Sequence, residues 1–508
     1  MYIFYSFAAP LLLLLALRLK GLPPTPEDIF SNPREAYGAA LRQHGPVIAV
    51  RRKGNLEYVV GPEFARHVLT CDRDFSFEEG SAAIMNLQPI MALTGGTLFR
   101  DLKDFVREGI IARMDEIVDQ LYPIYDRDYE VFVDLVAKPE HESSRPDLFN
   151  HTRDTLSEAT LLLLLGQEYV SKRNMRIIED VSNGMAQLTG QYQNFSFVGK
   201  YLPWFWVLLT WINVIIIKIP FGFVRLLGPR LWVDVSRYEK IARKSKASEQ
   251  EPRNVLYLIV KTYINSGEQY IGVFRRMYIA MLLLCLIFAS VHTTTVVSQW
   301  VLFQLATRPE YLNPLREELL KVREEAANGE LHLTAASLRA AHLLDSFIRE
   351  VMRLKGDTIS TMRYTTADVP LGGYVIPKGS FVTPMSSTVH ENPEIFGDEP
   401  TKFDGFRWVE LNKDAAMTGS AHIVFGLGRF ACPGRVLAVN GQRVSTLSAT
   451  VPDEATLNSE IKLIVLSLIG RATPSLLEGR FEVTDPLNTV TQPPKGTLIF
   501  TPLDRPLL

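Results

Sequence analysis

The segment of this chain best suited to chemistry is the loop Phe425-Gly-Leu-Gly-Arg-Phe-Ala-Cys-Pro-Gly434. Its glycines permit a tight turn with positive φ and let a flat ligand approach the backbone. Cys432 in such a loop can offer a thiolate to a metal, with backbone N–H groups directed at the sulfur. The loop therefore predicts a metal-ligating thiolate. The alternative is a buried structural cysteine in a glycine-rich turn.

Three other segments carry side chains that can pair or move protons. Glu350 and Arg353 have i, i+3 spacing, so they share one face of a predicted helix. Alone, this is a weak signal, because such pairs are common on surfaces and contribute little there. Arg407 lies in Phe403-Asp-Gly-Phe-Arg-Trp408, and Ala289-Ser-Val-His-Thr293 lies in a long apolar helix.

Together these segments resemble the cytochrome P450 family, whose haem loop has the pattern Phe-x-x-Gly-x-x-x-Cys-x-Gly. The loop at 425–434 matches that pattern, Glu350 to Arg353 matches the family's Glu-x-x-Arg, and 403–408 resembles its Phe-x-x-x-Arg-Trp segment. The order and spacing of the four segments also agree, and the resemblance covers the chain from about residue 25 onward. It implies a mainly α fold with small β-sheets (α+β), a triangular helical prism around a buried haem b.

The resemblance assigns roles around the cofactor. Cys432 would be the iron ligand, and Arg363 and, less strongly, Arg107 would bind the haem propionates; Lys103, one turn before Arg107, is a further basic residue there. Phe430 departs from the family, which often has His or Arg two residues before the cysteine. The remaining residues expected at the cofactor or in the family's buried Glu–Arg–Arg network are Phe425, Gly426, Gly428, Glu350, Arg353 and Arg407.

A second departure concerns proton delivery. The family usually has a carboxylate followed by threonine, whereas this chain has His292 followed by Thr293. Imidazole can relay protons near neutral pH. Two interpretations of His292 stay open: it relays protons or positions water, or it is a helix histidine bonded to a backbone carbonyl. The Thr293 hydroxyl can open a local groove in the helix for O₂.

Composition narrows the class of protein. The chain has 508 residues and a formal net charge of −2, with 54 Lys+Arg against 56 Asp+Glu, so nothing indicates nucleic-acid binding. Three cysteines are too few for a disulfide scaffold. No segment resembles a flavin or nicotinamide fingerprint. Electrons are therefore expected from a separate partner, an NADPH–cytochrome P450 reductase.

The N-terminus predicts a membrane anchor. Residues 1–17 carry no charged side chain, and Arg18 and Lys20 follow the apolar run rather than precede it. That run is just long enough to span a bilayer, and the basic residues favour a cytosolic catalytic domain. We expect a single-pass anchor at 1–20, a proline-rich spacer at 21–26 and one catalytic domain at 27–508. The endoplasmic reticulum is the expected location.

A second apolar block runs from Tyr201 to Leu227 and is rich in aromatic residues. Pro203, Pro220 and charged residues interrupt it, which argues against a second span. In the P450 family the matching region dips into the membrane, so an interfacial contact with lipid is favoured. A buried core helix is the alternative.

Strand patterns predict a hairpin at 45–61, short strands at 361–386, and a final hairpin that pairs Phe481-Glu-Val-Thr484 with Thr497-Leu-Ile-Phe-Thr501. The helix after Cys432 is interrupted by Gly441 to Ser459, a Ser/Thr-rich stretch in which Pro452 would break a helix. Two interpretations of 441–459 stay open: translated intron sequence, or a genuine surface loop.

The predicted function is a membrane-anchored monooxygenase that uses O₂ to oxidise an apolar small molecule. Ala289-Ser-Val-His-Thr-Thr resembles fungal family members that oxidise terpenoid skeletons in secondary metabolism. The alternatives are a thiolate-haem isomerase or dehydratase that needs no reductase, and a non-catalytic membrane haem protein if 441–459 is real and disruptive.

Overall fold

The computed structural model describes residues 32–508 except 53, 89–90, 92–96, 138–145, 192, 194–195, 245–250, 326–328, 330, 360, 439–459 and 488–490. The predicted anchor at 1–20, the spacer at 21–26 and the segment 441–459 lie outside the described residues.

The described chain is mainly helical, with short strands, and this confirms the expected mixture. The helices are α1 Pro33–His44, α2 Pro62–Thr70, α3 Phe77–Ile84, α4 Leu98–Phe105, α5 Met114–Ala137, α6 Leu148–Leu165, α7 Lys172–Leu188, α8 Phe197–Tyr201, α9 Pro203–Trp211, α10 Gly228–Lys244, α11 Val255–Asn265, α12 Val273–Ala306, α13 Leu312–Val322, α14 Ala335–Ala340, α15 His342–Leu354, α16 Ser386–His390, α17 Pro393–Phe396, α18 Arg435–Ala438 and α19 Glu460–Ile469. The strands are β1 Val47–Arg52, β2 Asn55–Val60, β3 Phe75–Ser76, β4 Glu324–Glu325, β5 Leu331–His332, β6 Arg363–Thr365, β7 Val369–Leu371, β8 Tyr374–Ile376, β9 Phe381–Pro384, β10 Ala472–Leu476 and β11 Leu498–Pro502.

Helix α12 is the central element of the core. It runs unbroken over 34 residues, and apolar side chains such as Leu282, Leu283 and Val301 are buried along it. Helices α6, α7 and α19 pack against it. A helix that is apolar on most sides must be buried, so α12 is a core helix although it is long and apolar enough to cross a membrane.

The largest sheet joins the N-terminal hairpin to strands near the end of α15. Its order is β1-β2-β9-β6-β3, with β2 parallel to β9 and the other neighbours antiparallel. The predicted hairpin at 45–61 and the strands predicted at 361–386 are confirmed. Strand β6 carries Arg363 into the protein interior.

The prediction for the C-terminal hairpin was wrong in its pairing. Strand β11 pairs with β10, and within the described residues Phe481–Thr484 instead forms the isolated bridge Glu482–Lys495, which lies before the predicted partner segment. Pro474 within β10 hid that strand from the sequence pattern. In a two-stranded sheet each strand is an edge, so a proline without an N–H group is tolerated there.

The apolar block at 201–227 is helical and largely exposed. Helix α9, a π-helix at Ile212–Leu227 and α10 follow one another as a continuous helical segment from Pro203 to Lys244. In the most apolar 18-residue stretch of this segment, 11% of the residues are buried. Trp204 is 67% exposed and Phe221 60%. The structure therefore does not support the alternative of a buried core helix. The wide turns of the π-helix accommodate Pro220, which would break a regular helix.

Candidate active site

The cysteine loop has the backbone geometry that its glycines predict. Gly426 and Gly428 have φ of 72° and 68°, and the Cys432 N–H donates to the Phe425 carbonyl at 2.8 Å. A Cβ at Gly428 would lie 3.1 Å from the Thr70 side chain, so glycine is also required by the packing of α2. The loop is thus a fixed turn that holds Cys432 just before α18.

Cys432 is set up as a ligand rather than as a packing residue. Its side chain is exposed. The protein packed around the accessible sulfur desolvates it and raises the pKa of the thiol above its ordinary value, and the Arg435 charge and the N–H groups of Gly434 and Arg435 offset part of this rise. Those groups favour a thiolate and reduce its basicity, as in metal–thiolate sites. This arrangement disfavours the structural-cysteine alternative.

Arg363 is a buried cation without an acidic partner. Among the described residues it forms no ion pair, its Nε atom has no hydrogen-bond partner, and its NH1 and NH2 atoms contact Thr361, Met362 and Leu69 at only 3.3–3.4 Å. Burial lowers the pKa of Arg363 to about 10. A buried guanidinium with spare donors calls for an anion, and a carboxylate fits it best.

Arg107 is exposed and lies beside acidic residues. Its side chain is 57% exposed and donates to Glu108 at 3.0 Å, with Asp104 at 3.9 Å. Lys103 also lies beside Asp104, at 4.0 Å. The contact of Arg107 with the cofactor stays a prediction.

The Glu350 carboxylate is the centre of a buried network. Arg353 donates to both of its oxygens, from NH2 at 2.7 Å and from Nε at 2.9 Å, and both side chains are fully buried. Arg407 donates at 3.3 Å, as predicted from the motif. Sequence reasoning missed two further donors, the Trp408 Nε1–H at 3.0 Å and the Asp404 N–H at 3.2 Å. Trp408 is the last residue of the Phe403–Trp408 motif, so its place in that motif was the sequence signal that could have identified it as a donor.

The predicted proton-delivery residues lie on α12, and the helix has no break there. Thr293 is exposed, and its Oγ1 donates to the Ala289 carbonyl at 2.5 Å. The Thr293 hydroxyl is thus bonded back to its own helix, and the groove expected beside it stays a prediction. Thr295 makes the same kind of bond, to Val291 at 2.7 Å, but is buried.

His292 is buried and neutral. Burial lowers its pKa to about 4, and its ring stacks on Phe288 with centroids 5.9 Å apart and planes at 17°. The Nε2 atom has no hydrogen-bond partner among the described residues. Among the described residues, Nε2 is therefore available to a water or a ligand group, and both interpretations of His292 stay open.

Glu460 is a titratable residue that the sequence analysis did not single out. It begins α19, is buried, and accepts from Thr294 Oγ1 at 3.4 Å. Burial raises the pKa of Glu460 to about 8. The contact joins α19 to α12 at the residue next to Thr293. Because the two residues are far apart in sequence, no local sequence pattern predicts their contact.

Comparison with known proteins identifies the family. The sequence model described as Cytochrome P450 matches residues 31–441, which is most of the chain. The chain therefore belongs to the cytochrome P450 family. The fold agrees: the structure resembles a zebrafish cytochrome P450 determined with abiraterone (TM-score 0.60, 17% identity, 93% of this chain and 99% of that one). It also resembles a cyanobacterial P450 bound to retinoic acid (TM-score 0.59, 18% identity, 95% and 98%).

Curated relatives are fungal enzymes that match over part of their length. The monooxygenase terQ of Tolypocladium album is 35% identical over 174 residues, 32% of this chain and 30% of the relative. The monooxygenase ascG of Acremonium egyptiacum is 35% identical over 180 residues, with 30% and 34% covered. The ent-kaurene oxidase of Gibberella intermedia is 31% identical over 179 residues, with 33% of each covered. The chain thus spans about a third of the curated relatives that it matches.

The family implies a haem with a cysteine thiolate ligand, and the residues present fit that group. Cys432 supplies an accessible sulfur with backbone N–H groups beside it. Arg363 supplies a buried cation with an unpartnered nitrogen. A soft sulfur donor and a separate guanidinium are what an iron porphyrin with carboxylate side chains requires.

Proposed function

We propose that the protein is a haem-thiolate monooxygenase. It uses O₂ and electrons from an NADPH–cytochrome P450 reductase to oxidise an apolar small molecule. The observation that carries the proposal is the Cys432 loop, in which an accessible sulfur sits among backbone N–H groups that stabilise its anion. A haem held by this thiolate would supply the chemistry that activates O₂ for transfer to a substrate.

The chain's own residues hold and orient the cofactor. Cys432 is the iron ligand, with Phe425, Gly426 and Gly428 forming the turn that presents it. Arg363 neutralises a cofactor carboxylate with its free Nε–H. The contact with Arg363 favours the bound cofactor, because it satisfies a buried Nε–H that has no partner among the described residues.

Proton delivery is proposed for Thr293 and His292. The Thr293 hydroxyl is exposed and can exchange its bond with the Ala289 carbonyl for one with a water or a ligand. His292 is neutral at physiological pH, so its unpartnered Nε2 can accept a proton from water or, in the other tautomer, donate one. The two groups proposed to hold the proton therefore lie within one turn of α12.

The proposed substrate is an apolar skeleton of the terpenoid type. The side chains packed around the α12 segment before Thr293 are apolar, among them Ala82, Met91, Leu98 and Leu282. A relative is named ent-kaurene oxidase, after a terpene hydrocarbon. Contact with such side chains favours an apolar substrate through the burial of its surface.

Membrane attachment is part of the proposal. The anchor at 1–20 would hold the protein on the cytosolic face of the endoplasmic reticulum, and the exposed aromatic and aliphatic side chains of Pro203–Leu227 would enter the interface. Deleting residues 2–20 should therefore release only part of the protein from membranes. Complete release would show that the second contact does not bind lipid.

The central experiment combines a spectrum with turnover. The reduced protein with CO should absorb near 450 nm, and Cys432→Ser should lose that band because a hydroxyl is a poor ligand for this iron. Product formation should require both the reductase and NADPH. Turnover without reductase would instead indicate an isomerase or dehydratase, and a Cys432→Ser variant with an unchanged band would refute the haem-thiolate proposal.

A further inference from the structure

Four side chains form a continuous stack beside the cysteine loop. The Arg363 guanidinium lies over the Phe77 ring, 4.9 Å from its centroid. Phe77 stacks on Phe430 with centroids 5.1 Å apart and planes at 24°. The Arg429 guanidinium also lies over the Phe430 ring, 4.9 Å from its centroid. The order is thus cation, ring, ring, cation, and we call it the aromatic stack.

Strand register explains why the inner half of the stack forms. Phe75 pairs with Thr365 and Ser76 with Tyr364 in the antiparallel pair β3–β6. The next step of that register brings Phe77 opposite Arg363. Ser76 then caps α3 by accepting from the Glu79 N–H at 3.1 Å, which fixes the backbone where Phe77 begins the helix. The position of Phe77 is therefore set by two independent backbone constraints.

The outer half of the stack is set by the cysteine loop. Phe430 ends the 3₁₀ turn Gly428–Phe430, two residues before Cys432. Arg429, beside it, forms an ion pair with Asp72 at 3.0 Å. Asp72 also acts on the Arg363 charge, although it forms no ion pair with Arg363. The stack consequently connects the loop that carries the sulfur to the buried cation.

A ring face holds a cation in a way that an acid would not. The π-face attracts a guanidinium and restricts its orientation, and it leaves the N–H edge of the guanidinium free for an anion. A carboxylate in that place would occupy the donors of Arg363. The Nε–H of Arg363, which has no partner among the described residues, agrees with a guanidinium held by a ring face.

We propose that Phe77 and Phe430 are positioning residues that hold Arg363 ready for a cofactor carboxylate, so that an aromatic pair does the work of the missing basic residue at position 430. The inference rests on the proposed function, since it needs haem as the ligand. It assigns to Phe430 a role through Arg363 rather than a direct contact with a propionate.

The test measures how fast the purified full-length protein loses haem to an excess of apomyoglobin. Phe77→Leu keeps an apolar side chain of similar size but removes the ring, and it should speed haem loss by about 5- to 30-fold. Phe430→Leu should act in the same direction with a smaller factor, because it reaches Arg363 only through Phe77. Phe77→Tyr keeps the ring and should restore the wild-type rate.

A double variant separates positioning from simple packing. If Phe77 acts through Arg363, adding Phe77→Leu to Arg363→Gln should not speed haem loss further, because the cation is already gone. Additive effects, or a wild-type rate in both Phe77→Leu and Phe430→Leu, would overturn the proposal. Phe197→Leu is the matched control, since it also removes one ring of a close aromatic pair, at a 74% exposed position away from the stack.

The CO spectrum distinguishes this failure from failure of the proposed function. All stack variants should keep the band near 450 nm, because Cys432 and its backbone donors are unchanged. A band near 450 nm with unaltered haem loss would refute the stack alone. Absence of the band in the wild type would refute the haem-thiolate proposal itself.

Discussion

Arg353→Ala should destabilise the protein by about 4–5 kcal/mol, because it strips a fully buried carboxylate of its closest cation. Removing one partner of a buried ion pair typically costs about 3–5 kcal/mol. Here Glu350 keeps three donors, from Arg407, Trp408 and the Asp404 N–H, so the lower end of that range applies to it. The remainder of the loss comes from the other contacts of Arg353.

Those contacts are backbone carbonyls. The Arg353 NH1 group donates to the carbonyls of His390 at 2.7 Å and Pro400 at 2.6 Å. Each buried carbonyl that loses its donor adds about 1 kcal/mol. The sum is a large part of the total stability of about 5–15 kcal/mol of an ordinary protein. We therefore expect little folded holoprotein, rather than a folded but slow enzyme.

Urea unfolding, followed by far-UV circular dichroism with haem content measured on the same samples, checks this prediction. The matched control is Arg42→Ala, which removes an arginine from a surface pair with Glu35, whose side chains are 69% and 67% exposed. That change should alter the free energy of unfolding by less than about 1 kcal/mol. Recovery of Arg353→Ala as holoprotein with the stability of the control would show that the energetic reasoning is wrong.

Two further predictions concern α12. Thr293→Ala should retain haem but divert electrons from NADPH to hydrogen peroxide, measured as NADPH consumed against product and peroxide formed. The control Thr295→Ala, which loses a similar bond at a buried position, should keep NADPH consumption coupled to product formation. Equal coupling in both variants would exclude Thr293 from proton delivery. For His292, the folded pKa of about 4 lies below the unfolded value of 6.5, so the unfolded chain takes up a proton first and stability falls as pH drops through that interval. His292→Leu should remove up to about 3 kcal/mol of this loss between pH 6.5 and 4; parallel curves of unfolding free energy against pH would contradict the buried, neutral assignment.

Local pattern was enough to predict the features that depend on neighbours in sequence. The positive-φ glycines at 426 and 428, the pairing of Glu350 with Arg353 and the hairpin at 45–61 all follow from short motifs. Arg107 shows the limit of that approach. A π-helix at Val106–Ile110 widens the turn at this point, so the face of a regular helix no longer predicts where the side chain lies.

Features made by distant segments could not be predicted in the same way. Glu460 meets Thr294 only because α19 packs against α12. The partner of β11 was misassigned because Pro474 breaks the strand pattern of β10. Phe430 was recognised as a departure, but its stacking partner Phe77 lies far away in sequence and is positioned by the pairing of β3 with β6. In each case the missing information is a tertiary contact.

The Glu350 network also reaches the cysteine loop through a histidine. Arg353 donates to the His390 carbonyl, and the His390 Nε2 accepts from the Ile423 N–H at 3.1 Å. Burial lowers the pKa of His390 to about 3, so the ring is neutral, and the Ile423 N–H directed at Nε2 makes that nitrogen the acceptor.

The loop continues this chain of hydrogen bonds. The Gly426 N–H donates to the Ile423 carbonyl at 2.9 Å, and the Cys432 N–H donates to the Phe425 carbonyl at 2.8 Å. The buried carboxylate thus fixes, through consecutive bonds, the backbone that presents the sulfur. Because each of these bonds is short and most of the groups are buried, a loss at Arg353 should be felt at Cys432. This is the physical reason to expect haem loss together with unfolding in Arg353→Ala, although Arg353 itself makes no contact with the cysteine loop among the hydrogen bonds of the described residues.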